Sequence, residues 1–469
     1  MNASSREFAA WSLPAGLVPP EGPRGSARVG DVLLRWPQAD PAWVRGVGEA
    51  LRRSRDALRK RTARDVAALA GAAGARFLDS TDPLRARALA LLPPTAGLSA
   101  EMAEAVLDGM ARDWTGERLG RLLGAEFANP AALDGFVPGG LGLARAVGPR
   151  LCVQIVAGSV PGVGATALLR SLLVKGPTLV KPGRGDVVLP VLLGDALRSL
   201  DPVVGDAVAV VYWPGGSDGL EDAALDEADV VTAYGSDAAV QELRARTPVT
   251  TRFVAYHHRV SLGVVGREAL EDAHRHRTAS EVAGAVAFFD QRGCVSPQLV
   301  FVEEGGDASA QDFAREVAVA MEAVERHLPG GLLDPEEASV RHQVRGAAEL
   351  QAAAGMGVEI HDGGAAGWTV IYDPGQDFGP TCVGRLVRVK PVADVLDLPR
   401  LVSPLGRHLQ TVAVAGCGTR LERLAGALTE VGVSRVAGFD AAPFPAPWWH
   451  HDGQGPLRAL VRWADLEAG

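Results

Sequence analysis

The strongest nucleophiles in the 469-residue chain are four cysteines, Cys152, Cys294, Cys382 and Cys417. They lie far apart, with no CxxC pair, which argues against a disulfide scaffold and against a thiolate metal site. Cys294 stands in the turn Asp290-Gln291-Arg292-Gly293-Cys294-Val295-Ser296-Pro297-Gln298. Before it, Thr278–Phe289 reads as a helix: Thr278 and Glu281 have capping-box spacing, and Val282, Ala285, Val286 and Phe289 recur at helical intervals. After it, the apolar run Leu299–Val302 reads as a strand. A thiolate in such a turn can attack a carbonyl while nearby backbone N–H groups hold the oxyanion. Taken alone, a single cysteine is more often a small buried hydrophobe.

Two glycine patterns suggest other chemistry. Gly162-Val163-Gly164-Ala165-Thr166-Ala167 matches G-x-G-x-x-A between a strand and a helix, with Asp186 downstream at the spacing of a ribose contact. Gly215-Gly216-Ser217-Asp218-Gly219 matches the G-x-S-x-G elbow of a hydrolase. Short glycine patterns are common in a glycine-rich chain, and neither accounts for Cys294. The histidines His257/His258, His274/His276 and His450/His451 lack HExxH or Cys/His spacing, so they read as exposed polar positions and no metal is expected.

The elements that must position these residues change character along the chain. Residues 1–30 are rich in Gly, Pro and Ser and read as irregular. Pro41–Arg64 reads as an amphipathic helix bearing Arg52, Arg53, Arg55, Arg59, Lys60, Arg61 and Arg64. That face suits either solvent or an acidic partner such as the phosphates of coenzyme A. Helices near Pro83–Leu92 and Ser99–Trp114 fill the rest of a mostly helical region over residues 1–140. From Leu151, strands at Leu151–Ala157, Thr178–Lys181, Ala207–Trp213, Asp229–Tyr234 and Arg252–Tyr256 alternate with helices. This is the pattern of a doubly wound parallel sheet that binds a nucleotide at the carboxyl ends of its strands. A second α/β unit follows Cys294, and a helix is expected around Leu457–Leu466.

A net charge of −9 gives no sign of a nucleic-acid binder. The uncharged stretch Leu151–Leu169 is broken by Gly158, Ser159, Pro161, Gly162 and Gly164, so it reads as strand–turn–helix and not as a membrane span. With no basic-then-apolar leader and with scattered cysteines, a cytoplasmic location is expected.

From about residue 135 the chain resembles the acyl-CoA reductase family typified by the reductase subunit of bacterial luminescence fatty acid reductase, a branch of the aldehyde dehydrogenase superfamily. The segment Asp290–Gln298 is similar to that family's acyl-accepting cysteine segment. Ala157-Gly158-Ser159-Val160-Pro161, Val180-Lys181-Pro182, Ala233-Tyr234-Gly235-Ser236-Asp237, Leu409-Gln410-Thr411 and Trp449-His450-His451-Asp452-Gly453 support it. The resemblance implies an aldehyde dehydrogenase-like α/β fold: a dinucleotide domain over 141–262, a catalytic domain over 263–440 and a C-terminal tail over 441–469.

It also implies NADPH-dependent reduction of an acyl thioester to the aldehyde through an acyl-Cys294 intermediate. The donor is expected to be acyl-CoA or an acyl-carrier protein, with an acyl-transferring or acyl-activating partner and a homo-oligomeric enzyme. Lys181, Arg184, Gly235 and Ser236 are the expected cofactor residues, and the GVGATA glycines line a catalytic funnel. The GGSDG turn becomes an ordinary strand-to-helix loop. Ser159 stands where the superfamily has an oxyanion-donating Asn. No glutamate occurs between Thr251 and Arg267, where hydrolytic relatives keep the one that activates water. Arg184 replaces the glutamate that often binds the adenine ribose, which favours a 2′-phosphate, although Asp186 could serve as the ribose ligand of an NAD site. The alternatives are an NAD(P)+-dependent aldehyde dehydrogenase and a non-catalytic subunit of a biosynthetic complex.

Overall fold

The computed structural model describes residues 6–364, 367–375, 378–379 and 381–467. In chain order its strands are β1 (Arg6–Ala9), β2 (Trp11–Ser12), β3 (Arg24–Val29), β4 (Val32–Pro37), β5 (Val137–Gly139), β6 (Gly142–Val147), β7 (Cys152–Ile155), β8 (Thr178–Lys181), β9 (Val208–Val211), β10 (Val230–Tyr234), β11 (Arg252–Tyr256), β12 (Val260–Val265), β13 (Pro297–Glu303), β14 (Glu359–Asp362), β15 (Thr369–Tyr372), β16 (Leu386–Val392), β17 (Leu409–Ala415), β18 (Arg435–Gly438) and β19 (Arg462–Leu466). The chain divides into one unit of residues 1–96, 104–257 and 446–469 and another of residues 97–103 and 258–445.

The first unit is built on a six-stranded sheet in the order β11-β10-β7-β8-β9-β2. Strands β7, β8 and β9 are buried along their whole length, as parallel strands covered on both faces must be. The chain winds from β7 outward to β9, then crosses back to β10 and β11 on the other side of β7. The strand order therefore reverses between β7 and β10, where open α/β sheets bind their ligands. One face is sealed by a cluster that includes Val47, Leu51, Val153, Leu179, Trp213, Leu225 and Val231. Two of these come from α1 (Pro41–Arg59), which starts at Asp40, whose carboxylate accepts the Trp43 N–H ahead of Pro41 at the first helical turn.

The second unit carries a seven-stranded sheet, β14-β15-β16-β13-β12-β17-β18, parallel except for the edge strand β14. Its core includes Val282, Val286, Val300, Val302, Phe313, Val317, Val370, Val389 and Phe439 in one cluster and Leu262, Val264, Leu299, Leu398, Val412 and Leu424 in another.

Several expectations are corrected. Residues 6–30 are not irregular throughout: they hold β1, β2 and β3, and β3 and β4 form a hairpin with Val29 opposite Val32 across Gly30-Asp31, where Gly30 takes φ 59°. A Gly-Asp pair between strands is a hairpin signal that the Gly/Pro/Ser richness around it hid. The expected helix at Leu457–Leu466 is a short 3-10 turn, Arg458–Leu460, followed by β19, which pairs antiparallel with β6. The Glu126 carboxylate accepts the N–H groups of Leu457 and Arg458 there, and β19 then finds its partner far away in sequence. The helix before the cysteine runs Arg275–Ala287, and Thr278 does not cap it; that hydroxyl is buried within the helix and donates to the His274 carbonyl.

Candidate active site

The residues singled out in the first unit gather at the carboxyl ends of its strands. Ser159 is exposed in the turn after β7, and Lys181 ends β8 opposite Ile155. Arg184 is exposed in the short turn that follows. Those two turns are pressed backbone to backbone. A Cβ on Gly158 would meet the Gly185 nitrogen at 2.8 Å, and one on Gly183 would meet the Gly158 nitrogen at 2.3 Å. Only glycine permits that approach, so Ser159 and Arg184 are carried on adjoining strips of chain.

Asp186 holds the same assembly from beneath. It is fully buried, with Oδ1 accepting the Gly162 N–H at 2.6 Å and Oδ2 the Gly164 N–H at 2.6 Å. Gly162 takes φ 98° to start the helix α6 (Val163–Leu173) there (α2 to α5 being the helices Ala63–Ala75, Pro83–Ala96, Ala100–Asp113 and Gly116–Glu126). The reading of Asp186 as a ribose ligand and of GVGATA as a pyrophosphate cradle is therefore overturned: the chain's own carboxylate occupies the amides that a phosphate would need. Burial pushes the Asp186 carboxyl up to about 8, against those two N–H donors, which favour the anion.

Lys181 is only 8% exposed, makes no hydrogen bond among the described residues, and is depressed by burial while Glu221 opposes that shift. A buried ammonium without a hydrogen-bond acceptor at the end of a sheet is suited to sugar hydroxyls or a phosphate. The Arg184 guanidinium acts electrostatically on Tyr212, whose hydroxyl burial pushes up and that charge pulls down. Gly235 closes the turn after β10, and Ser236 accepts the Ala239 N–H at 3.3 Å as the cap of the helix Asp237–Arg246. Asp237 in the first turn pairs with His257 at 3.3 Å. Ser217 of the GGSDG turn donates to the Pro214 carbonyl and caps no chemistry.

The histidines were read as exposed, yet His257 and His451 are half-buried. His451 lies in a stack of rings, 4.2 Å from Tyr256 and 4.6 Å from Trp449, and Tyr256 lies 4.6 Å from Tyr234. Burial holds the Tyr234 and Tyr256 hydroxyls above their ordinary range. The Trp449–Asp452 tail thus covers the ends of β10 and β11, a contact with no local signal in the sequence. The basic face of α1 is partly engaged within its own unit: Arg52 pairs with Glu227 and Arg55 donates to the Gly148 carbonyl. Arg61, just past the helix, pairs with Asp201 at 2.7 Å.

In the second unit, Cys294 sits exposed in the loop between the preceding helix and β13, while Cys152, Cys382 and Cys417 are buried. Burial pushes those three thiols up to about 12, 11 and 11. The loop is strained: Phe289, Asp290 and Gln291 take φ 56°, 49° and 62° in succession, a left-handed run that costs on the order of 1–3 kcal/mol per residue. Three side chains hold it. Gln291, 1% exposed, donates to the carbonyls of Pro297 at 2.9 Å and Leu386 at 2.7 Å and accepts the Leu386 N–H at 2.8 Å. Asp290 accepts Arg385 Nε at 2.8 Å and the Gly331 N–H at 3.1 Å. Arg292 forks onto Glu337 through two contacts of 2.8 Å. Asp290 and Gln291 both tie the cysteine loop to the start of β16 at Arg385 and Leu386, and Arg292 ties it to Glu337. Ser261, on β12, completes the anchor by donating to the Cys294 carbonyl at 2.6 Å. Sequence reasoning found Cys294 and missed these supports, because their partners lie up to 95 positions away.

Comparison with known proteins agrees with this geometry. Residues 60–463 match the acyl-CoA reductase (LuxC) family. A long-chain acyl-protein thioester reductase of Aliivibrio fischeri is 26% identical over 71% of this chain and 67% of its own length. Its namesake from Vibrio harveyi is 23% identical over 74% and 70%. Among solved structures, an NAD-dependent benzaldehyde dehydrogenase from Corynebacterium glutamicum superposes with a TM-score of 0.73 at 14% identity, over 96% of this chain and 97% of that one. An NADP-dependent glyceraldehyde-3-phosphate dehydrogenase from Bacillus halodurans, complexed with NADP, gives 0.73 at 16% identity, over 97% and 98%. The fold is that of the aldehyde dehydrogenases, as the resemblance implied.

Proposed function

The chain belongs to the acyl-CoA reductase (LuxC) family, and from that premise we propose that it reduces an acyl thioester to the aldehyde through an acyl group carried on Cys294. The observation that carries this reading is the contrast among the cysteines. Cys294 alone is exposed, on a loop held by three buried or half-buried side chains, while the other three thiols are kept protonated by burial. Cys294 Sγ attacks the thioester carbonyl, the donor's sulfur leaves as thiolate, and the acyl group remains as an enzyme thioester. Bound NADPH would supply the hydride that the acyl carbon takes up. The resulting thiohemiacetal on Cys294 expels the cysteine sulfur, releasing aldehyde and restoring the nucleophile.

The first unit supplies the cofactor residues in this reading. Lys181, whose buried ammonium makes no hydrogen bond among the described residues, faces the ribose; Arg184 meets the 2′-phosphate; Gly235 and Ser236 open a helix toward the pyrophosphate. Ser159 donates its hydroxyl to the developing oxyanion. The lack of a glutamate between Thr251 and Arg267 spares the acyl-enzyme from attack by activated water. The donor is a fatty acyl group on coenzyme A or on a protein, the latter favoured by the names of the relatives.

Intact-mass measurement tests the reading. Incubation with a panel of fatty acyl-CoAs and acyl-carrier proteins, without cofactor, should add one acyl mass to the wild type and none to Cys294→Ala. Subsequent NADPH should clear the adduct and yield aldehyde. An undiminished adduct on Cys294→Ala overturns the assignment.

A further inference from the structure

Arg435 opens β18, and its guanidinium is bound on one side by the loop that leaves that strand. Nη1 donates to the Ala442 carbonyl at 2.9 Å and Nη2 to the Ala441 carbonyl at 2.7 Å. The same loop lays Phe444 on Phe288 and Phe289, ring centroids 5.0 and 5.3 Å away, at the entry to the cysteine loop. A second route crosses the sheet. Ser261 pairs with Pro297 between β12 and β13, bonds the Cys294 carbonyl, and accepts the Thr411 N–H at 3.3 Å; Thr411 in turn pairs with Arg435 between β17 and β18. Both routes lead from Arg435 to the loop that carries Cys294. Burial pushes Arg435 down to about 10, and the sulfur's charge opposes that shift; the attraction acts equally on both partners.

We propose that Arg435 is a positioning residue that stabilises the Cys294 thiolate. It carries this role through the sulfur and not through substrate. Other charged groups on neighbouring elements have partners of their own. Arg259 donates to the Arg407 carbonyl, His408 lies against the His258 carbonyl at 3.4 Å, Asp290 binds Arg385, and Arg292 binds Glu337. Asp440, on the loop after β18, is exposed.

The proposal rests on Cys294 being the nucleophile, yet its test reads thiolate content and needs no reductase activity, so the two can fail separately. The rate of Cys294 alkylation by iodoacetamide, followed by peptide mass, is measured from about pH 5 to about pH 10. The wild-type midpoint should fall below the roughly 8.5 of an ordinary thiol. Arg435→Gln should raise it by about one unit and slow alkylation at neutral pH about tenfold. Arg435→Lys should recover most of that loss, which a purely structural role would not allow. Should Arg435→Gln fail to fold, Arg435→Met, which keeps the packing stem, replaces it. A wild-type midpoint at or above that of an ordinary thiol overturns the proposal, and so does an unchanged midpoint in a folded neutral variant.

Discussion

The abutting turns after β7 and β8, taken together, and the loop before β13 are built from the same materials, glycine and one buried aspartate, and use them in opposite ways. In the first, Asp186 turns back on its own neighbourhood and takes the N–H groups of Gly162 and Gly164. In the second, Asp290 reaches outward to Arg385 and Gly331. Glycine absorbs the positive φ in the first turn, at Gly162, whereas Phe289, Asp290 and Gln291 bear it in the second. A glycine costs little in that conformation and larger residues cost more, so strain is concentrated beside the nucleophile. The turn that looks like a phosphate site is a sealed brace; the loop that resembles no short phosphate motif presents the reactive atom.

The sharpest way to break this comparison is Gln291→Ala. It leaves the Pro297 carbonyl and both polar groups of Leu386 without a partner in a buried site, at about 1–3 kcal/mol for each unsatisfied group. The acylation rate of Cys294 should collapse, with a lowered thermal midpoint. Normal acylation in a variant of wild-type stability would mean that the loop needs no such anchor.

Asp186→Asn probes the other turn. A carboxyl held up to about 8 when folded, against an ordinary value near 4, keeps a proton that the unfolded chain has released. Its contribution is therefore full below about pH 4 and declines as pH rises toward 8. Urea midpoints of the wild type should fall across that window, and those of Asp186→Asn should fall less. Equal slopes would show that Asp186 is ionised throughout.

Ser159→Ala should lower turnover by less than the 100- to 1000-fold typical of losing a dedicated oxyanion donor, since a hydroxyl reaches less far than an amide. Ser159→Asn should raise turnover above wild type. Steady-state rates unmoved by both changes would place Ser159 outside the site.

The smallest effect is expected at the exposed edge of the turn after β8. Arg184→Glu should raise the apparent KM for NADPH about tenfold more than that for NADH, the value of one charge-assisted contact. Equal changes for both cofactors would detach Arg184 from the 2′-phosphate.

Much of this was legible in advance. The runs Thr178–Lys181, fully buried, and Arg252–Tyr256, at the sheet edge, appear as strands with the expected limits, because both are short, largely apolar runs bounded by turn residues. Cys294 was legible because its neighbours Asp290 to Gln298 form a contiguous pattern. The central strand β12, Val260–Val265, was not: it follows the polar link His257-His258-Arg259 and carries Gly263, whose missing side chain makes room for Phe439. Nor was the tail stack of Trp449 and His451 on Tyr256, since stacking partners almost 200 positions apart leave no periodicity to detect.

By itself, then, the sequence determined which atoms could react and many of the helices and strands, since propensity, periodicity and contiguous motifs are local properties. Only the tertiary structure decided what those atoms were free to do. Asp186 and Lys181 both follow from the same short stretch of chain, yet one is tied to two backbone amides and the other has no hydrogen bond to its ammonium among the described residues. Arg435 and Gln291 gained their bearing on Cys294 from strand order and from carbonyls on distant elements. Hydrogen-bond partners and local dielectric are set by packing, and packing is where identical residue types acquire different chemistry.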